Sequence, residues 1–235
     1  MGLGHGTLCP VTDTGNSVSV DPSGLDVPGW ALVSATAAPV LLIGGWTIAA
    51  ARQPGGFDPI IRTISDLAAL TATDRWLMTG VFVGVGLCHL TTAWGLRPAR
   101  SLGRAALALG GIATIGVAAT PITATATPMG HTLTAGTAFL ALTVWPVLAA
   151  RRSASMPMPM PMPNVLRFPV SIAATGVLVV TLSWFAVELS AGGTHLGLAE
   201  RVAAGAQALW PLAVVVGCRW AGRARQRRTD AENLA

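Results

Sequence analysis

Apolar residues in this chain fall into six long runs, roughly 30–51, 76–96, 105–122, 131–149, 168–190 and 199–220, separated by short polar segments. A helix rises about 1.5 Å per residue, so about 20 residues cross a hydrocarbon layer of about 30 Å. Every run approaches that length, and 105–122 is the shortest. The runs are continuous rather than alternating and are rich in Ala and Leu, which predicts helices rather than the strands of a barrel. Small residues such as Gly80, Gly84, Gly110 and Gly111 allow helices to approach closely. Pro39, Pro146 and Pro211 lie inside runs and predict local kinks. The pattern predicts an all-α integral membrane protein: six transmembrane helices over 30–220, a flexible tail at 1–29 and a basic tail at 221–235.

One connection has a pattern of its own. Over residues 57–70, at about 100° per residue, Phe57, Ile60, Ile61, Ile64, Leu67 and Ala68 share one side, and Asp58, Arg62, Ser65 and Asp66 share the other. Pro59 suits a first helical turn with Asp58 as its cap. The expectation is a short amphipathic helix in the first loop, lying on the membrane surface or folded over the bundle. Asp58–Arg62 and Arg62–Asp66 are spaced as i,i+4 pairs along its polar face. Residues 1–29 lack the basic and apolar regions of a signal peptide. The Met-Pro alternation at 156–163 forbids a helix and predicts an extended spacer between the fourth and fifth spans.

Composition sharpens the picture. Charged residues make up 11% of the chain against about 25% in soluble domains, which excludes a soluble enzyme. All 15 basic residues are Arg, and Lys and Tyr are absent, so lysine Schiff-base and tyrosine chemistry are excluded. The net charge of +5 does not indicate nucleic acid, because the Arg flank apolar runs as membrane anchors do. With six spans, eleven Arg fall on one side (97, 100, 104, 151, 152, 167, 219, 223, 225, 227 and 228) and four on the other (52, 62, 75 and 201). By the positive-inside rule both termini are cytoplasmic. Cys9, Cys88 and Cys218 imply no disulfide framework.

Candidate chemistry gathers on the outward side. Ser65, Asp66, His131 and Glu188 are the candidate catalytic residues. Arg62, Arg201, Glu200 and Gln207 are candidate substrate-binding residues. Ionisable residues near or within spans are costly there, which marks them as functional candidates. If the first loop folds over the bundle, Asp66 should lie near His131 or Arg201, and Arg62 near a carboxylate. These residues with His195 lack any local metal motif, so no metal is assigned, and the sequence identifies no cofactor. His89, deep in the second span, is expected to bond a neighbouring carbonyl or Thr.

Several of these residues resemble one family. Phe57-Asp58-Pro59, Thr63-Ile64-Ser65-Asp66-Leu67-Ala68 and Asp74-Arg75-Trp76-Leu77-Met78 are similar to the opening signature of a bacterial membrane family, "domain of unknown function 998". His89, the segment from His131 to Trp145-Pro146, and Ala199-Glu200-Arg201 with Gln207 and Trp210-Pro211 follow in the family's order. The resemblance covers roughly 30–220 and implies a six-helix protein of the bacterial inner membrane with these polar residues as recurrent features. Three functions remain open. In order, they are an accessory or structural protein docking a membrane partner, an enzyme acting on a lipid or lipid-linked substrate at the outer leaflet, and a small-molecule or lipid carrier. The lipid bilayer is the one partner common to all three.

Overall fold

The computed structural model describes residues 26–151 and 163–234. The tail at 1–25, with Cys9, and the Met-Pro stretch at 156–162 lie outside the described residues. Among the described residues the chain is helical, with six long helices: α1 (Gly29–Ala51), α2 (Arg75–Gly95), α3 (Ser101–Ala119), α4 (Met129–Ala149), α5 (Phe168–Ala191) and α6 (Leu196–Leu234). All six are long and apolar enough to cross a membrane. Their bounds follow the six apolar runs closely, except that α6 continues through the basic segment to Leu234. Cys88 and Cys218 carry free thiols.

The helices alternate in direction, so the bundle has two ends. One end carries the start of α1, the α2–α3 turn and the flanks of the α4–α5 connection. There Arg151 Nε donates to Pro98 O (2.6 Å) and Arg100 N donates to Ala149 O (3.2 Å). Arg151 N also donates to Leu166 O (2.9 Å), closing the two flanks of the connection on each other. The opposite end carries the long 52–74 loop and the turns before α4 and α6.

Packing follows from small residues. Gly86 of α2 and Gly111 of α3 face each other so closely that a Cβ on Gly111 would stand 2.7 Å from Gly86 O. Gly110 lies against Leu142 of α4 in the same way. In lipid, close approach of this kind is what holds helices together. Pro146 interrupts α4, and the next amide, Val147 N, donates to Thr175 Oγ1 of α5 at 3.2 Å. A side chain from a neighbouring helix thus supports the backbone where proline weakens it. Helix α5 packs mainly against α4 and α6 and the turn before it, and presents Val170, Ile172, Val177, Val180 and Val187 outward.

The first loop departs from the expected amphipathic helix. Residues 59–62 form turns, and helix is limited to one 3-10 turn at Ser65–Ala68. The reason lies in the carbonyls. Pro59 O and Arg62 O accept from Arg201 Nη1, and Ile60 O accepts from Leu198 N (3.0 Å), so the start of α6 takes the acceptors a helix would use. Half of the apolar side still goes inward: Ile64, Leu67 and Ala68 are buried against Leu42, Met78, Phe82 and Val85. Ile60 and Ile61 remain exposed. The loop is therefore a plug in the end of the bundle rather than a helix afloat on a surface.

Candidate functional site

The loop is tied at its base before it reaches the site. Arg52 Nη1 contacts Asp74 Oδ2 at 3.0 Å. Gln53 exchanges two hydrogen bonds with the Thr73 backbone, 2.9 Å and 3.1 Å. Asp74 adopts a left-handed conformation (φ 51°), which Asp tolerates better than most residues and which turns the chain into α2. Leu70 N donates to Ile122 O (2.9 Å), joining this loop to the α3–α4 turn.

Within this frame Ser65 meets His131. Ser65 Oγ stands 3.2 Å from His131 Nε2, and His131 Nδ1 stands 2.8 Å from Thr120 O. A carbonyl only accepts, so Nδ1 carries the proton that makes that bond. In a neutral imidazole Nε2 is then an acceptor, and the Ser65 hydroxyl donates to it. His131 is buried in the first turn of α4, and Thr120 ends α3. The geometry is that of a hydroxyl nucleophile beside an oriented base, with a backbone carbonyl as the orienting group.

Glu200 and Arg201 hold the loop from below. Glu200, buried, accepts a 2.5 Å bond from Ile64 N, the amide next to Ser65. Arg201 Nη1 donates to Pro59 O (2.8 Å), Arg62 O (2.8 Å) and Gly197 O (2.9 Å). Gly197 permits this, since a Cβ there would collide with Arg62 O. Asp66 Oδ2 accepts from Thr63 N (2.9 Å) and lies 3.8 Å from Arg62 Nε. The carboxylate near Arg62 is thus Asp66 of its own loop rather than one from a span, and Ser65 rather than Asp66 is the residue that bonds His131. Asp58 accepts from Ile60 N instead of pairing with Arg62.

Beneath Ser65 a cavity of about 70 Å3 enters the bundle. Its polar lining is Ser65, His89, Thr114, Glu200 and Gln207, set among apolar residues of α1, α2, α3, α4 and α6. Gln207 Nε2 bridges to α4 through Phe139 O (3.0 Å) and Thr143 Oγ1 (2.9 Å). It lies about 16 Å below the start of α6, at 1.5 Å per residue. His89 is buried, and its Nδ1 has no hydrogen-bond partner among the described residues, so the bond expected from the sequence is not made there. The neighbouring Thr92 bonds Ser34 of α1 instead (2.7 Å).

Glu188 is not brought to this cluster. Its carboxylate accepts from His195 N (3.0 Å) in the α5–α6 turn and from Trp184 Nε1 (3.3 Å) one turn earlier in α5. His195 Nδ1 bonds Thr194 of the same turn. Among the described residues, no three of His, Cys, Asp and Glu converge as metal ligands would. Sequence reasoning missed Thr120, whose contribution is a main-chain oxygen that no side-chain pattern reveals.

Comparison with curated proteins and with solved structures returns no match. Comparison with protein families matches residues 36–217, which span α2 to α5 in full and most of α1 and the apolar part of α6. The match includes Ser65, His131, Glu200 and Gln207. The chain is therefore a multi-pass membrane protein belonging to the family described as "Protein of unknown function (DUF998)".

Proposed function

We propose that this protein is a membrane enzyme that cleaves or transfers an ester-linked acyl group of a lipid or lipid-linked substrate. In this reading the loop-bearing end faces away from the cytoplasm, because eleven of the Arg belong to the opposite end. The observation that carries it is the Ser65–His131–Thr120 relay, with Oγ to Nε2 at 3.2 Å and Nδ1 to the carbonyl at 2.8 Å. Ser65 Oγ attacks the ester carbonyl while its proton passes to His131 Nε2. The same proton then goes to the departing alcohol. Water or a second alcohol releases the acyl group from Ser65 and restores the hydroxyl. Arg62, exposed beside Phe57 at 4.9 Å, is suited to a substrate phosphate. Glu200 fixes the backbone next to the nucleophile, and Gln207 shapes the cavity floor.

The test is labelling with a fluorophosphonate, which captures activated serines. Ser65 should be the labelled residue, and Ser65→Ala should abolish the adduct. His131→Ala should slow labelling about 100-fold or more, the usual contribution of a general base. An intact, folded protein that takes no label would overturn the enzyme reading.

One observation favours a second reading, the accessory role. Arg201 and Glu200 spend their hydrogen bonds on loop backbone, and Ser65–His131 can act as one more latch in that set. The loop would then be a rigid docking face for another membrane protein. The absence of labelling, together with co-purification of a partner lost on loop substitution, is its signature.

A further inference from the structure

At the Arg-rich end of the bundle a cavity of about 460 Å3 lies between three separate elements. The entry to α1 contributes Asp26 and Trp30, the α2–α3 turn contributes Arg97, and α6 contributes Arg219 and Arg223. Arg219 is committed to structure, since Nη1 donates to Val27 O at 2.5 Å and so ties α6 to the start of α1. The guanidinium groups of Arg97 and Arg223 make no hydrogen bond or ion pair among the described residues. Three cations face one carboxylate, which leaves an excess of two positive charges around a space large enough for a small anion.

A second observation fixes the depth of this cavity. Trp30 lines it, and Trp94 and Trp220 are exposed on the same end, at 47%, 73% and 70% respectively. Tryptophans exposed at span ends sit at the level of lipid headgroups. Arg219 and Arg223 flank Trp220 along α6, so the guanidinium of Arg223 starts from the same level of the helix as an exposed span-end tryptophan.

We propose that this cavity binds the phosphodiester of an anionic lipid headgroup. Arg97 and Arg223 donate to the phosphate oxygens in the forked geometry that guanidinium favours. Asp26 accepts from a headgroup hydroxyl, and Trp30 borders the glycerol region. Arg219 holds the wall in place. This site is independent of the Ser65 centre, which lies at the other end of the bundle.

The test uses the full chain in neutral detergent, titrated with phosphatidylglycerol and read by native mass spectrometry. Phosphatidylcholine and soluble glycerol phosphate are run in parallel. The double variant Arg97→Gln/Arg223→Gln is compared with Arg100→Gln/Arg227→Gln, which removes the same charge from outside the cavity. The expected result is retention of phosphatidylglycerol in preference to phosphatidylcholine. The cavity variant should lose affinity about tenfold more than the control variant, as two charge-assisted contacts would require. If glycerol phosphate binds equally well and is lost in the same variant, the phosphate site stands and its ligand is soluble. Equal loss in the two double variants, or no preference between the lipids, overturns the site. Because the guanidinium groups of Arg97 and Arg223 make no hydrogen bond or ion pair among the described residues, the cavity variant should keep the unfolding temperature of the parent; Arg223→Gln alone gives the same comparison with one charge.

Discussion

Glu200 and Arg201 are adjacent in sequence and secure the same loop through different atoms. Glu200 accepts from the Ile64 amide, and Arg201 donates to the carbonyls of Pro59 and Arg62. Replacing Glu200 with Gln keeps an acceptor for the Ile64 amide, whereas Ala leaves a buried N–H unpaired and opens space beside the cavity. Glu200→Ala should therefore cost about 1–3 kcal/mol more than Glu200→Gln. Thermal unfolding of the detergent-solubilised protein checks this, and equal losses would show that the bond to Ile64 carries little. Arg201→Met should loosen the loop more locally, seen as faster amide exchange at residues 57–68 with little change in α3 or α4. At this scale the sequence marked Ser65, His131, Glu200, Arg201 and Gln207 as candidates, and they lie around the first loop and the cavity beneath it, while Glu188, marked with them, stays apart. The sequence could not say which would bond to which. The partners of His131, Glu200 and Arg201 include backbone atoms, and those depend on where the chain turns.

The six spans were legible because a continuous apolar run about 20 residues long has few other ways to satisfy its backbone in lipid. The first loop was less so. Its polar and apolar residues alternate with a helical period, but only Ser65–Ala68 coils, since the start of α6 claims the carbonyls before it. A period shows which side of a segment is buried, and Ile64, Leu67 and Ala68 are buried as it indicates. It does not settle the backbone of a segment this short. Hydropathy does set α5 apart, since this peripheral helix is the most apolar of the six spans, but it does not say which helices touch. Glycine spacing carries more of that information. A Cβ on Gly111 would meet Gly86 O at 2.7 Å and His89 Cβ at 3.1 Å, while one on Gly80 meets nothing within 4 Å. The obstacle at Gly111 is main chain, which cannot rotate away. Gly111→Ala should then destabilise the bundle by about 1–3 kcal/mol, as overpacking does, and Gly80→Ala should not. Matching unfolding curves for the two variants would mean that α2 and α3 are not held as closely as their glycines allow.

At the scale of the whole molecule, the two ends of the bundle differ in both charge and shape. One end has the short α2–α3 turn, the cavity between Arg97 and Arg223, and an α6 that continues through the basic segment to Leu234. The other carries four Arg; Arg201 is spent on loop carbonyls and Arg52 is paired with Asp74. Six antiparallel spans put the start of α1 and the end of α6 on the same side, so one accessibility measurement at each end fixes the orientation. Thr125 is exposed in the α3–α4 turn, and Gln226 is exposed on the extension of α6. In a chain with Cys9→Ser, a cysteine at Thr125 should react with a membrane-impermeant maleimide in intact cells. A cysteine at Gln226 should react only after permeabilisation. The opposite pattern would reverse the molecule and would move the Ser65–His131 pair to the cytoplasmic side. That result would end the assignment to an outer-leaflet substrate without touching the chemistry of the pair. Labelling of Ser65 by an impermeant fluorophosphonate joins the two questions. Reaction in intact cells requires both an activated serine and an outward-facing loop, and reaction only in lysed cells separates a correct mechanism from a wrong orientation.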